Sequence, residues 1–249
     1  MGEFRYLLDV KELEQTDETG ELWQRVLRLL DSDRLKKLEK YTQKNARALC
    51  AGAGLLLQWA FCAYESEGWR KPGQKEGEAE RAPIRLELFR PEELLDQIDG
   101  KEDFEIVREE NGKPAIKGNP FYFNISHSGK YVFCAVSESE IGADIQEQKK
   151  ENGDNTGKKE LRLAERFFAE QEFRELKKYG KEAEAIKKFY YLWTRKEAVG
   201  KLHGDGLMKW IGRNMQNGLS EEGKRYLWEE YEMENYLIAV CRFFEGSKA

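Results

Sequence analysis

The order in which two hydrophobic periods occur along the chain limits its architecture more than any single motif does. Leu22, Val26, Leu29 and Leu30 recur at helical spacing, and so do Leu49, Ala53, Leu56, Leu57, Ala60 and Phe61. Between them, Asp31-Ser32-Asp33 offers N-cap oxygens to a helix with Leu35, Leu38 and Tyr41 on one face. Residues 67–83 are polar, contain Gly and Pro, and read as a loop. Strand patterns follow. Ile84, Leu86 and Leu88 alternate with Arg85 and Glu87, and Phe104-Glu105-Ile106 alternates as well. Asn111-Gly112 is a hairpin-turn signal, and 121–125, 131–136 and 141–145 are short β-type runs. Residues 149–159 hold no apolar side chain and read as a linker. Helical spacing returns over 161–179 and 186–202, and 207–211, 226–231 and 236–244 read as strands. Helices then strands, twice over, predicts an α+β protein rather than a regular strand–helix alternation. The expected division is an N-terminal half, 1–138, and a C-terminal half, 139–249.

Composition narrows the function. The chain has 249 residues and a net charge of −5, against a general nucleic-acid binder, which would carry a basic stripe. Cys50, Cys62, Cys134 and Cys241 lack metal-ligand spacing, so zinc has no support; they read as small buried hydrophobes in a reducing compartment. The start, Met1-Gly2-Glu3-Phe4-Arg5-Tyr6, shows neither a secretory pattern nor a myristoylation signal. The longest nearly apolar stretch, 51–64, contains Gln58 and is short for a bilayer span. The expectation is a cytoplasmic protein with no membrane partner.

Three segments hold residues suited to chemistry. In Phe123-Asn124-Ile125-Ser126-His127-Ser128-Gly129 a β-type run ends in what reads as a polar turn with one of two histidines. Hydroxyls, backbone N–H groups and an imidazole suit a phosphate; a surface turn is the plain alternative. In Ile141-Gly142-Ala143-Asp144-Ile145-Gln146, strand alternation aims Asp144 and Gln146 the same way. Gly142 leaves room for something to approach. A carboxylate and an amide oxygen on one face suit a hard cation such as Mg²⁺, or simply an exposed edge strand. In Trp193-Thr194-Arg195-Lys196-Glu197-Ala198-Val199-Gly200-Lys201, helical spacing puts Trp193, Glu197 and Lys201 on one ridge. That ridge is either a solvent-facing Glu–Lys pair or a metal-binding carboxylate beside a cation. Gly204-Asp205-Gly206 then ends the helix.

Taken in order, these pieces closely resemble the Sfp-type 4′-phosphopantetheinyl transferases. The matching residues are Gly112-Lys113-Pro114, then Asn124 to Gly129, then Ile141 to Ile145, then Phe189 to Trp193, Lys196-Glu197, Lys201 and Gly204 to Leu207. The stretch Asn45-Ala46-Arg47-Ala48-Leu49 also looks like the family's early arginine-bearing helix. The clear similarity covers about 111–207.

The resemblance implies two similar α+β halves with a pseudo-two-fold relation and the active site in the cleft between them. It implies a monomer that moves the phosphopantetheine arm of coenzyme A onto a serine of an apo acyl or peptidyl carrier protein, with Mg²⁺. Arg47, Lys113 and His127 match positions that hold the 3′-phosphate and nearby adenosine groups, and Ser126 matches a residue beside that phosphate. Asp144 and Glu197 match carboxylates that bind Mg²⁺, with Glu197 as candidate base and Lys201 as the basic residue at that centre. The family has a second acid where this chain has Gln146, whose amide oxygen can ligate without bringing charge. The neighbouring Glu147 points to the other strand face. Two other readings carry the same residues: a non-catalytic homologue that binds coenzyme A or carriers, and a metal-dependent phosphoesterase acting on coenzyme A.

Overall fold

The run Phe4–Asp9 opens the chain as strand β1, not as part of a leading set of helices. It shows no period of two because Arg5, Tyr6, Leu7 and Leu8 are all buried, the signature of a strand covered on both faces. The computed structural model describes residues 3–67, 86–98, 100, 104–148, 157–179, 183–215 and 225–244. After β1 come α1 (Lys11–Gln15), α2 (Glu21–Leu29), α3 (Ser32–Leu38), α4 (Lys44–Glu67), β2 (Leu86–Phe89) and α5 (Pro91–Leu95). Then follow β3 (Ile106–Arg108), β4 (Pro114–Ile116), β5 (Tyr122–Ser128), β6 (Tyr131–Ser137) and β7 (Ile141–Glu147). The remainder is α6 (Lys158–Phe167), α7 (Glu170–Lys178), α8 (Ala183–His203), α9 (Leu207–Trp210), β8 (Tyr226–Met233) and β9 (Tyr236–Phe243). The class is α+β.

The chain divides into two units. One comprises 1–110 and 114–139; the other comprises 111–113 and 140–249. In the first unit a four-stranded sheet of order β2-β1-β6-β5 packs on α4. Strand β1 is parallel to β2 and antiparallel to β6. Asp31 caps α3 as its oxygens predict, accepting from the Arg34 N–H at 2.8 Å. Helix α4 is the core helix: Ala48, Ala51, Leu55, Leu56 and Ala60 are fully buried. Its 44–65 stretch is long and apolar enough to cross a membrane, more than 51–64 alone suggests, and 72% of the relevant window is buried inside the protein.

In the second unit a three-stranded antiparallel sheet of order β7-β9-β8 packs on α8. Helices α6 and α7 pack on α8 through Ala164, Phe168, Leu176, Phe189 and Leu192.

Several boundaries differ from the sequence reading. The β-type run expected over 121–125 does not end in a turn at 126–128: Ser126 to Ser128 continue β5, paired with β6, and the turn is Gly129-Lys130. Polar side chains disguised the end of a strand in which Ser126 is buried and His127 exposed. The 161–179 run is two helices, broken at Phe168-Ala169, where Glu172 accepts from the Ala169 N–H at 3.3 Å. The 207–211 run is one helical turn, not a strand. Gly206 enters it with φ 76°, and the Trp210 ring stacks on His203 at 4.4 Å. Four residues are too few to show either period. Cys62 is only half-buried, whereas Cys50, Cys134 and Cys241 are buried as expected; all four are free thiols. Ile84, most of the 67–83 loop and 149–156 of the linker lie outside the described residues.

Candidate active site

Gly142 decides how the second unit's site is built. A Cβ on Gly142 would sit 2.1 Å from the Ala198 carbonyl oxygen and 2.5 Å from the Leu202 nitrogen. Only a residue without a side chain lets α8 lie this close to β7. Residues i and i+2 of a strand share a face, so Asp144 and Gln146 also face α8. Glu197 and Lys201 immediately precede the two α8 residues that touch Gly142, Ala198 and Leu202. One close approach therefore brings a strand carboxylate and a helical ridge together.

The resulting cluster is tight. Lys201 Nζ lies 2.6 Å from Asp144 Oδ1, and Gln146 Nε2 donates to Asp144 Oδ2 at 2.8 Å. The Asp144 side chain is 2% exposed, so both of its oxygens are satisfied inside the protein rather than by solvent. Glu197 is half-buried, and burial, then the charge of Asp144, push its carboxyl above the ordinary range; Lys201 opposes them. Glu147 does turn away: its Oε1 accepts from the Tyr236 hydroxyl at 3.2 Å and from Asn235 Nδ2 at 3.4 Å. Trp193, one turn before Glu197, packs against Phe189 and Phe168 with ring centroids 5.6 and 6.4 Å away.

Among the described residues, no group of three or more His, Cys, Asp or Glu could hold a metal ion. Asp144 and Glu197 are two hard oxygen donors, and the Gln146 amide oxygen becomes a third if its end group turns over. That set suits a hard cation that takes its remaining ligands from water or from phosphate oxygens. Such a cation must compete with Lys201 and Gln146 for the oxygens of Asp144.

Lys113 joins this unit rather than the first. It is 8% exposed, and its Nζ donates to the carbonyls of Ile141 and Leu202, each at 3.2 Å. The ammonium thus ties the start of β7 to the last turn of α8, where carbonyls lack intrahelical partners. Asn111 adds a bond from Nδ2 to the His203 carbonyl at 3.1 Å.

Arg47, Ser126 and His127 lie in the first unit. Ser126 and His127 are opposite Phe133 and Val132 on β6. Arg47 is on α4, and Asn45 Nδ2 donates to the Gly129 carbonyl at 3.1 Å, tying that end of α4 to the turn after His127. Arg47 itself is held by Glu18, with Nε to Oε1 at 2.5 Å and Nη2 to Oε2 at 2.6 Å.

A buried ion pair escaped the sequence reading. Lys196, one residue before Glu197, is fully buried and lies 2.7 Å from Glu172 Oε2, which is also fully buried. The signal was present: Phe189, Leu192, Lys196 and Val199 fall on one helical stripe, so the lysine sits where an apolar residue belongs.

Residues 140–241, which hold the whole Asp144–Gln146–Glu197–Lys201 cluster, match the family model described as the 4′-phosphopantetheinyl transferase superfamily. In this segment the chain is similar to that superfamily. Curated proteins similar to this chain carry the same description. A Bacillus pumilus 4′-phosphopantetheinyl transferase is 38% identical over 120 residues, covering 48% of this chain and 47% of its own. The Sfp transferase of Bacillus subtilis (strain 168) is 39% identical over 112 residues, 45% of this chain and 46% of its own. The gsp transferase of Aneurinibacillus migulanus is 30% identical over 148 residues, 56% and 58%. The chain spans about half the length of the curated relatives it matches.

Proposed function

We propose that the chain is an Sfp-type 4′-phosphopantetheinyl transferase that moves the phosphopantetheine arm of coenzyme A onto a serine of an apo acyl or peptidyl carrier protein, the reaction of a holo-[acyl-carrier-protein] synthase. The observation that carries the reading is the convergence of Asp144, Glu197 and Lys201 within a segment that matches the superfamily. The carrier serine oxygen forms a bond to the β-phosphorus, the bond to 3′,5′-ADP breaks, and the serine proton leaves. Glu197 is proposed as its acceptor, since burial and the neighbouring Asp144 raise this carboxylate's proton affinity. Asp144 and Glu197, with the Gln146 oxygen, would hold Mg²⁺, which when bound neutralises charge on the pyrophosphate. Lys201 holds Asp144 in place and adds positive charge at the same centre.

Arg47, Ser126 and His127 are proposed to receive the 3′-phosphate end of coenzyme A. Lys113, which stands with them in the family pattern, is proposed here to act by holding α8 against β7, because its ammonium spans two backbone carbonyls. Four free thiols support placing the protein in a reducing cytoplasm, and we read it as a monomer.

The test is mass spectrometry of an apo-carrier incubated with the protein, coenzyme A and Mg²⁺. The expected result is a gain of the phosphopantetheine mass. Release of 3′,5′-ADP without a carrier would mark a phosphoesterase instead, and neither product would mark a binding protein.

A further inference from the structure

The Arg47 guanidinium is nearly saturated by the protein itself. Its Nε and one Nη2 N–H chelate the Glu18 carboxylate, and Nη1 donates to the carbonyls of Leu38 at 2.6 Å and Tyr41 at 3.0 Å. A guanidinium has five N–H donors, about four of which are used here, leaving one on Nη2. The edge formed by Nε and Nη2, the fork best shaped for an oxyanion, is the edge Glu18 occupies.

Glu18 is presented to that fork by a built turn. Asp17 Oδ1 accepts from the Thr19 N–H at 2.8 Å and from its hydroxyl at 2.7 Å. The Glu18 carbonyl accepts from Gln24 Nε2 at 2.9 Å. Hydrogen bonding from Thr19, and more weakly the charge of Lys44, hold the Asp17 carboxyl below its ordinary range. Glu18 therefore reaches Arg47 from a pre-organised loop.

We propose that Glu18 is an internal competitor for phosphate: it fills the edge of Arg47 that a 3′-phosphate monoester would take, and so sets how strongly the protein distinguishes coenzyme A from a coenzyme lacking that phosphate. The inference rests on the reading of Arg47 as a phosphate residue. A carboxylate and a phosphate cannot share one bidentate edge. Either Glu18 leaves when phosphate arrives, or it stays and repels the ligand; both weaken 3′-phosphate binding. Glu18→Gln keeps the length and the turn but offers one acceptor oxygen and no charge, so it releases the fork.

The test is calorimetric binding of adenosine 3′,5′-bisphosphate and of adenosine 5′-phosphate to the full chain, without carrier, metal or turnover. Glu18→Gln should tighten the bisphosphate on the order of tenfold, the effect of one charge-assisted hydrogen bond, and leave the monophosphate unchanged. Arg47→Lys should abolish that difference between the variant and the parent. Glu18→Asp, too short to span both nitrogens, should shift binding in the same direction and serves if Glu18→Gln does not fold. Equal shifts for both nucleotides, weaker bisphosphate binding, no shift, or no binding of either nucleotide would each overturn the proposal and make Glu18–Arg47 a tether of the Asp17-Glu18-Thr19 turn alone. Carrier loading in the mass assay would still uphold the transferase reading in every one of those cases.

Discussion

Replacing Lys196 by Met removes one member of a pair in which both side chains are fully buried, and strands the other. Breaking a buried pair this way typically costs about 3–5 kcal/mol, because the remaining charge stays desolvated. Glu172 keeps two other donors, the Met215 N–H at 2.8 Å and the Ala169 N–H at 3.3 Å, which puts the expected loss at the low end. The Arg213 carbonyl also loses its lysine donor. A loss of about 3 kcal/mol, at about 1.4 kcal/mol per decade, is roughly a 150-fold faster amide exchange in α8 where exchange follows the opening equilibrium. Hydrogen exchange of 183–203 read by mass spectrometry would measure it.

The pH dependence gives a second handle on the same pair. Burial holds the Lys196 ammonium below its ordinary range, with Glu172 pulling the other way. Between that lowered value and the ordinary lysine value the unfolded chain binds more protons, so stability rises with pH across this window. Lys196→Met should remove that rise. Unchanged exchange in α8, or a pH profile identical to the parent's, would refute the idea that this pair anchors the helix carrying Glu197.

Gly142→Ala should separate α8 from β7 and destroy transfer even though no reacting group changes, since its Cβ would lie 2.1 Å from a backbone oxygen; circular dichroism with a carrier assay would show a folded or partly folded but inactive protein. Gln146→Glu should lower the Mg²⁺ concentration for half-maximal transfer, because it swaps a donor that occupies Asp144 for a further carboxylate; an unchanged or higher requirement would put residue 146 outside the metal shell. Glu197→Gln should abolish transfer yet raise the melting temperature at neutral pH. The Glu197 carboxyl is raised above its ordinary range, so its contribution to stability is lost as pH rises through that raised value; the gain of the Gln variant should therefore shrink on acidification toward the ordinary carboxylate value.

The grouping of side chains in the second unit was legible because it rests on short periods. Alternation in 141–147 put Asp144 and Gln146 on one face and Glu147 on the other, and a spacing of four put Glu197 and Lys201 on one ridge; both statements need only local geometry. The α+β class was legible for the same reason. Local periodicity failed where burial erased it, as in β1, and where polar side chains sat on a strand, as in β5.

What only the tertiary structure decided are pairings between residues far apart in the chain. Lys113 reaches Ile141 and Leu202, 28 and 89 residues away, and so sits with β7 and α8 as a backbone clamp. Arg47 finds Glu18 29 residues back, and Lys196 finds Glu172 on another helix. The sequence by itself determined which side chains share a face, because that follows from the repeat of a strand or helix. It could not determine which partner would fill each one's hydrogen bonds, because a charged side chain takes whichever acceptor or donor the packing of distant elements brings within about 3 Å.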